Sequence, residues 1–353
     1  MIIGRLQLTV CWHLLLGRSS KAMITVTGGA GAINDVASIP ARLQEFSAAF
    51  EKGISMLKEG ATAIEVVQEV VVMLEDSAYF NAGRGSVFTN AGTHEMDASV
   101  MDGTTGNAGA VCNVSNVRNP VRLARAVATS TQHVLLCGSG AESLAPNHGI
   151  RIEDNHYFFT NERYEQLKLA RIQKRVVLDH GTEMEQHSGS VGIAAPSIFS
   201  HLGIDSEGKK QHKFGTVGCV ARDKYGNLAA AGSTGGLTNK QPGRIGDTPI
   251  IGAGIYANST TCAGETFIKN CVAHDVYARM NYQGLPLAAA IDEVILNVLP
   301  PETGGMIGVD SNGKVHASYN TAGMFTGEVS SLALVEGKGG ESEAMGREAG
   351  EVR

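Results

Sequence analysis

The 353-residue chain lacks a basic cluster that could track phosphates, and its formal net charge at pH 7 is -6. Proteins that bind nucleic acid neutralise phosphates with a basic surface, so this composition argues against a nucleic-acid partner. A long apolar run is missing too, because the patch at residues 6–16 is interrupted by His13 and is too short to span a bilayer. These absences indicate a soluble globular protein that binds neither nucleic acid nor membrane.

The six cysteines include no C-x-x-C pair, a spacing common in metal and redox motifs. Most of them stand in apolar runs, as buried free thiols do. This pattern favours a reduced, intracellular setting, and we expect a cytoplasmic protein. Two N-x-S/T triplets, at Asn113 and Asn258, point the other way, but such triplets are common by chance.

The two ends of the chain show no pattern typical of a packed core. Residues 1–22 carry Arg5 and the short apolar patch, which suits a poor targeting segment or an extension upstream of Met23. We therefore expect residues 1–22 to lie outside the fold. The tail 335–353 is rich in Gly and Glu, has no periodicity and is expected to be disordered.

Between the ends, helical and strand-like periods alternate in blocks, which fits sheets sandwiched between helices. One predicted helix begins at Thr62, where Thr62 and Glu65 have the spacing of a capping box. Residues 178–213 lose all periodicity and form the best linker candidate in the chain. The linker ends just before Gly215-Thr216, which opens an apolar, β-branched run.

Cleavage of the Gly215-Thr216 bond would give Thr216 a free α-amino group beside its own hydroxyl. An N-terminal amine is a base that can activate a threonine hydroxyl as a nucleophile. Its pKa of about 7.7–8.0 leaves a substantial neutral fraction near physiological pH. The bare dipeptide is also an ordinary strand start, so its neighbours decide between the two interpretations.

A hairpin downstream gives Thr216 a second hydroxyl. Strand-like runs at residues 216–222 and 228–233 flank a turn at 223–227, so Thr234 is expected to lie beside Thr216. The glycine pair 235–236 that follows permits a close approach of the backbone.

Arg244 and Asp247 follow three residues apart on a loop punctuated by glycine. One cation and one anion so placed suit an amino-acid headgroup, with Arg244 binding a carboxylate and Asp247 binding the ammonium. The alternative is a surface salt bridge between the two, which spacing alone favours.

With these residues in place, the chain resembles the plant-type L-asparaginases and isoaspartyl peptidases, which are N-terminal-nucleophile hydrolases. The resemblance runs in order from residue 23 to residue 325. The matching stretches are Gly28-Gly29-Ala30-Gly31, Phe80-Asn81-Ala82-Gly83-Arg84-Gly85, Met96-Asp97-Ala98-Ser99-Val100-Met101-Asp102-Gly103, Gly215-Thr216-Val217-Gly218, and residues 233–247 and 252–258.

The resemblance implies an α+β fold, the αββα four-layer sandwich of the N-terminal-nucleophile hydrolases. It implies a precursor that cleaves itself between Gly215 and Thr216. The products would be an α subunit, residues 23–215 with the linker 178–215, and a β subunit, residues 216–353. Both subunits would form one catalytic domain, and two such pairs would form a homodimer.

The same resemblance implies roles for five side chains. Thr216 would be the nucleophile, Thr234 would support it, and Asn81 would help to order it. Arg244 would hold the α-carboxylate of the substrate and Asp247 its α-amino group. No cofactor is needed, although one loop resembles the family's structural sodium site. The backbone carbonyls of that loop belong to Leu74, Glu75, Ser77, Phe80, Ala82 and Arg84.

The chain departs from the family pattern in three places. Thr27 stands where the family usually has His, and residues 326–334 diverge. The segment 259–264 is about six residues short and lacks the Thr-Gly pair that normally supplies the oxyanion hole. Loss of one such donor costs about 10²–10³ in rate. Thr260, Thr261 or the Gly264 amide would have to substitute.

The sequence therefore predicts a threonine-nucleophile amidohydrolase acting on a small molecule or dipeptide, namely L-asparagine or a β-aspartyl (isoaspartyl) dipeptide. Three alternatives stay open. Two are enzymes of the same superfamily, a glycosylasparaginase and a threonine aspartase that cuts peptides after aspartate. The third is an inactive pseudo-hydrolase, folded but silenced by the shortened segment 259–264.

Overall fold

The computed structural model describes residues 6–11, 22–30, 38–173, 215–257, 259–262, 265–321 and 323–332. For residues 6–11, 259–262, 265–266 and 330–332 the description covers the backbone alone. The predicted linker, apart from Gly215, and the predicted disordered tail fall outside these ranges.

The described residues contain twelve strands in two sheets. The strands are β1 (Leu6–Cys11), β2 (Ala22–Ala30), β3 (Met96–Asp102), β4 (Ala108–Val114), β5 (Leu135–Cys137), β6 (Val217–Arg222), β7 (Leu228–Thr234), β8 (Ile255–Tyr256), β9 (Ser259–Cys262), β10 (Gly305–Val309), β11 (Val315–Tyr319) and β12 (Gly323–Leu332). Eight of them form one sheet in the order β1-β12-β2-β6-β7-β3-β4-β5. The other four form a smaller sheet in the order β11-β10-β9-β8.

Eight α-helices accompany the sheets in the described ranges. They are α1 (Ile39–Glu59), α2 (Ala63–Asp76), α3 (Pro120–Ser130), α4 (Gly138–Glu142), α5 (Asn161–Ile172), α6 (Glu265–Asn270), α7 (Val272–Gln283) and α8 (Leu287–Asp292), the last continuing as a π-helical turn, Glu293–Val298. Among the described residues, none of these helices combines the length and apolarity needed to cross a bilayer.

Residues 6–11 overturn the expectation that residues 1–22 lie outside the fold. They form β1, which runs parallel to β12 with Leu6 opposite Gly323. The physical reason is visible in the letters Leu-Gln-Leu-Thr-Val, where apolar and polar residues alternate as in a half-buried strand. Ala22, also assigned to the extension, is buried in β2.

Helix α2 begins where the capping box predicts. The Thr62 amide donates to Glu65 Oε2 at 2.9 Å, which satisfies one donor that the first turn leaves unpaired. Its apolar face packs against the large sheet with α1 and α3, in a core to which Phe46, Val67 and Val121 contribute. This face of the sheet is therefore covered by helices.

The opposite face of the large sheet packs against the small sheet. Val220 and Ala230 of the large sheet share one apolar cluster with Ile255 and Ile307 of the small sheet. The far side of the small sheet carries a further cluster that joins helices α6, α7 and α8 with β10. The catalytic candidates sit at one end of the large sheet, where β6 starts and β7 ends.

Candidate active site

Thr216 and Thr234 lie side by side, as the hairpin predicts. In the antiparallel pair of β6 and β7, Val217 is opposite Ser233, so Thr216 comes level with Thr234. The Thr216 hydroxyl donates to Thr234 Oγ1 at 2.8 Å. Thr234 Oγ1 also accepts the Gly236 amide at 3.0 Å. Both threonines are buried, so this pair of hydroxyls is screened from bulk water.

The peptide that precedes Thr216 is held against β2. A Cβ atom on Gly29 would lie 2.5 Å from the Gly215 carbonyl oxygen and 2.6 Å from its amide nitrogen. Gly29 has φ +102°, a conformation that L side chains rarely adopt. The position therefore requires glycine twice over, once for its backbone angle and once for the approach of Gly215.

Thr27, where the sequence is expected to depart from the family pattern, makes two hydrogen bonds in the turn. Its hydroxyl donates to the Phe325 carbonyl at 3.0 Å and accepts the Gly29 amide at 3.0 Å. It thus fixes the turn of Gly29 that contacts Gly215. Thr27 therefore gives both the Gly29 amide and the Phe325 carbonyl a hydrogen-bond partner.

Asn81 clamps the glycine pair that follows Thr234. Its Nδ2 donates to the Gly236 carbonyl at 2.8 Å, and its own carbonyl accepts the Gly235 amide at 2.9 Å. Asn81 Oδ1 accepts the Val87 amide at 3.0 Å. Through Gly236, whose amide reaches Thr234, Asn81 orders the backbone that supports the hydroxyl pair.

The loop that carries Arg244 and Asp247 is pinned to the same end of the sheet by Asp97. Asp97 is opposite Thr234 in the antiparallel pair of β3 and β7. Its Oδ2 accepts the Gly246 amide at 3.1 Å, and its Oδ1 accepts the Asn113 amide at 2.9 Å. Asp247 is buried and Arg244 is half-buried. The sequence placed Asp97 in a matching stretch but assigned it no role.

A second cation, Lys240, lies beside Arg244. Lys240 is fully buried and its Nζ donates to the Glu95 carbonyl at 2.6 Å. A Cβ atom on Gly236 would lie 3.0 Å from Arg244 Nη1 and 3.1 Å from Lys240 Nζ, so both cations border the same glycine. Burial lowers the pKa of Lys240, the Asp97 carboxylate raises it and Arg244 lowers it. A lysine in a loop gives no sequence signal of such burial.

The side chain of Glu75 lies on the helix side of the large sheet, close to Ser233 of β7. It is fully buried, and Oε1 accepts the Val121 amide at 2.9 Å. Its Oε2 has no hydrogen-bond partner among the described residues. Burial raises the pKa of Glu75 to about 8, and the hydrogen bond from the Val121 amide acts against this rise. Glu75 is therefore mostly protonated at neutral pH and adds no full negative charge below Ser233.

The segment expected to supply the oxyanion hole is described only in part. Strand β9 pairs with β10, with Thr260 opposite Ile307 and Thr261 opposite Met306. It ends at Cys262, and helix α6 begins at Glu265. The side chains of Thr260 and Thr261, and the whole of Gly264, lie outside the described structure.

The predicted sodium loop runs from the end of α2 to a 3₁₀ turn at Gly83–Gly85. It is tight, because a Cβ on Gly83 would collide with the Glu75 carbonyl and one on Gly85 with the Phe80 carbonyl. Oxygen ligands such as backbone carbonyls are those that hard cations prefer. No group of three or more His, Cys, Asp or Glu side chains in the described ranges is placed to hold a metal.

Comparison with known proteins gives a consistent result. The asparaginase family model, Asparaginase_2, matches residues 20–335. The isoaspartyl peptidase of Salmonella typhimurium is 44% identical over 318 residues, which cover 87% of this chain and 94% of that protein. The isoaspartyl peptidase of Escherichia coli is 44% identical over 317 residues, covering 86% and 92%.

An archaeal protein extends the comparison. A plant-type L-asparaginase of Pyrobaculum calidifontis is 36% identical over 315 residues, which cover 86% of this chain and 95% of that protein. The family model and these relatives agree with the resemblance drawn from the motifs, and the chain belongs to the Asparaginase_2 family of asparaginases.

Proposed function

We propose that this protein is a threonine-nucleophile hydrolase that acts on L-asparagine and on β-aspartyl dipeptides. The observation that carries the proposal is the buried hydrogen bond of 2.8 Å between the hydroxyls of Thr216 and Thr234. The relatives named isoaspartyl peptidase and L-asparaginase support the same substrate class.

Activation would be a cut between Gly215 and Thr216. Thr216 Oγ1 attacks the Gly215 carbonyl carbon, the peptide C–N bond breaks, and the resulting ester is hydrolysed by water. Thr216 is then an N-terminal residue whose α-amine can act as base. The contact of Gly29 with Gly215 supports this step, because it fixes the carbonyl that is attacked. The products are the α subunit ending at Gly215 and the β subunit starting at Thr216.

In turnover, the α-amine takes the proton as Thr216 Oγ1 attacks the side-chain carbonyl of the substrate. The C–N bond of the amide breaks, and ammonia or an amino acid leaves with that proton. Water then hydrolyses the β-aspartyl ester and releases aspartate. Arg244 binds the α-carboxylate of the substrate and Asp247 its ammonium, while Asp97 holds their loop through Gly246.

The wider organisation follows the same proposal. Helices against the large sheet, the two sheets face to face, and helices against the small sheet support an αββα sandwich. Both subunits form one catalytic domain, and two αβ pairs associate as a homodimer. The proposal also includes a structural sodium ion in the loop 74–84 and a cytoplasmic location.

Denaturing electrophoresis with intact-mass measurement of the purified protein tests the proposal. We expect two fragments, the second starting at Thr216, and release of aspartate from asparagine or from a β-aspartyl dipeptide. Thr216→Ala should stay intact and inactive, whereas Thr216→Ser, which keeps a hydroxyl, should retain slow cleavage. A wild-type chain that stays intact after prolonged incubation would sink the proposal.

Substrate comparison separates the related activities. Rates would be measured on a β-aspartyl dipeptide, on asparagine, on glycosylated asparagine and on a peptide containing an ordinary aspartyl bond. The proposal expects turnover of the first two. A cleaved protein that binds aspartate without turning over any substrate would instead identify the pseudo-hydrolase.

A further inference from the structure

Two cysteines face each other at the edge of the large sheet. Strands β4 and β5 are parallel, and Cys112 of β4 is the register partner of Cys137 of β5. Neighbouring strands lie about 4.7–4.9 Å apart. This spacing falls within the roughly 4.4–6.8 Å between Cα atoms that a disulfide spans. Register partners on adjacent strands also point to the same face, so the two thiols are neighbours.

The two thiols point to the face of the large sheet that lies opposite the helix-side core. One residue earlier, Val111 and Leu136 are register partners and both contribute to the helix-side core. Because side chains alternate along a strand, Cys112 and Cys137 project to the other side. Asp97 lies close enough to raise the pKa of Cys112, which agrees with this placement.

The two thiols differ in access. Cys112 is 2% exposed, whereas Cys137 is exposed at the edge of the sheet. Burial, Asp97 and Cys137 together raise the pKa of Cys112 to about 12. An accessible thiol beside a buried one matches the attacking and resolving partners of thiol–disulfide exchange.

We propose that Cys112 and Cys137 are a redox modification site that closes to a reversible disulfide when a small-molecule disulfide such as oxidised glutathione is present. The Cys137 thiolate attacks one sulfur of the oxidant and releases the first reduced glutathione. The Cys112 sulfur then attacks Cys137 Sγ, its proton passes to the leaving thiolate, and the second reduced glutathione departs. Two protein thiols are oxidised, one small disulfide is reduced, and no other reactant is consumed.

The disulfide would form next to Asn113, which contacts the loop that carries Arg244 and Asp247. Asn113 follows Cys112, its amide donates to Asp97 Oδ1 at 2.9 Å, and its Nδ2 donates to the Gly243 carbonyl at 3.3 Å. A bridge to Cys137 would therefore tie the edge strand β5 to the residues that position the loop of Arg244. Intracellular disulfides that form and reopen are typically regulatory.

The test uses the full chain, incubated with oxidised glutathione, alkylated and digested with trypsin. Cys112 and Cys137 lie on separate tryptic peptides, residues 85–118 and 126–151, and each peptide holds a single cysteine. We expect these two peptides to appear linked in at least half of the protein, and the link to vanish after treatment with excess reduced glutathione. A glutathione adduct that persists on Cys137 without the link would overturn the proposal, as would two free thiols after incubation.

Two variants sharpen the result. Cys137→Ser should abolish the link and leave Cys112 unmodified, because Cys112 is buried and cannot meet the oxidant itself. Cys271→Ser removes another exposed thiol and should leave the link at its wild-type yield. If Cys271→Ser abolishes the link as well, the pair does not act as an isolated site and the proposal fails.

Discussion

The buried carboxyl of Glu75 predicts an unusual dependence of stability on pH. Its pKa is raised from 4.5 to about 8 in the folded protein because burial disfavours the charged form. Between these two values the unfolded chain ionises while the folded chain keeps its proton. The contribution of Glu75 to stability is therefore full below pH 4.5 and is lost as the pH rises towards 8.

The size of the effect follows from the two pKa values. Each unit of pH inside the window costs up to about 1.4 kcal/mol, and the slope halves near the folded pKa. From pH 6 to pH 8 the free energy of unfolding should fall by about 2 kcal/mol on account of this one group. Glu75→Gln removes the titration but keeps an oxygen that can accept the Val121 amide.

The measurement is urea unfolding at pH 6, 7 and 8, followed by circular dichroism. Both proteins carry Thr216→Ala, so that each remains a single chain, and the buffers contain no sodium, because a cation on the Glu75 carbonyl would lower the pKa of its carboxyl. The stability of Glu75→Gln relative to Glu75 should rise by about 2 kcal/mol over this range. Glu69→Gln, at a more exposed position on the same helix, controls for the loss of a charge. A pH-independent difference, or an equal change in the Glu69 control, would refute the reasoning.

Three further predictions concern the site itself. Gly29→Ala should block cleavage at Gly215, as followed on gels, because its Cβ would meet the Gly215 backbone at 2.5–2.7 Å. Gly226→Ala is the control: Gly226 also has a positive φ, but a Cβ there would meet only the flexible end of an arginine, so this variant should be cut normally. Thr234→Val should lower kcat by about tenfold to a hundredfold. Loss of the Thr234 hydroxyl leaves the Thr216 hydroxyl and the Gly236 amide without their hydrogen-bond partner, which costs about 1–3 kcal/mol. Thr234→Ser should restore most of the rate, and an unchanged kcat in Thr234→Val would contradict the role. Lys240→Met should weaken inhibition by aspartate about tenfold, or 1.4 kcal/mol, through loss of a neighbouring cation. An unchanged inhibition constant would show that Lys240 does not contribute to the binding of aspartate.

The sequence was sufficient wherever an interaction is local. Thr216 and Thr234 are joined by a short hairpin, so strand pairing alone brings them together. Thr62 and Glu65 form their capping box within one helical turn. Both features depend on backbone geometry that the intervening residues dictate.

Contacts between residues far apart in the chain could not be predicted from the sequence, for a physical reason. Asp97 and Gly246 are 149 residues apart, and their contact exists only because β3 pairs with β7 at one register. The burial of Lys240 and Glu75 likewise depends on elements from distant parts of the chain. Strand β1 is a different case, because residues 6–11 alternate in the pattern of a strand within a segment whose charge and short apolar patch favour an extension.

The strand order of the large sheet has a consequence for the cut protein. The proposed cleavage site lies between β5 and β6, yet strands from before and after it are interleaved: β1 meets β12, β12 meets β2, β2 meets β6, and β7 meets β3. The two polypeptides of the mature protein would thus share four backbone ladders within the described sheet. They can separate only by unfolding, and refolding requires two molecules to meet. Activation would convert a unimolecular folding equilibrium into a bimolecular one, with a melting temperature that rises with protein concentration.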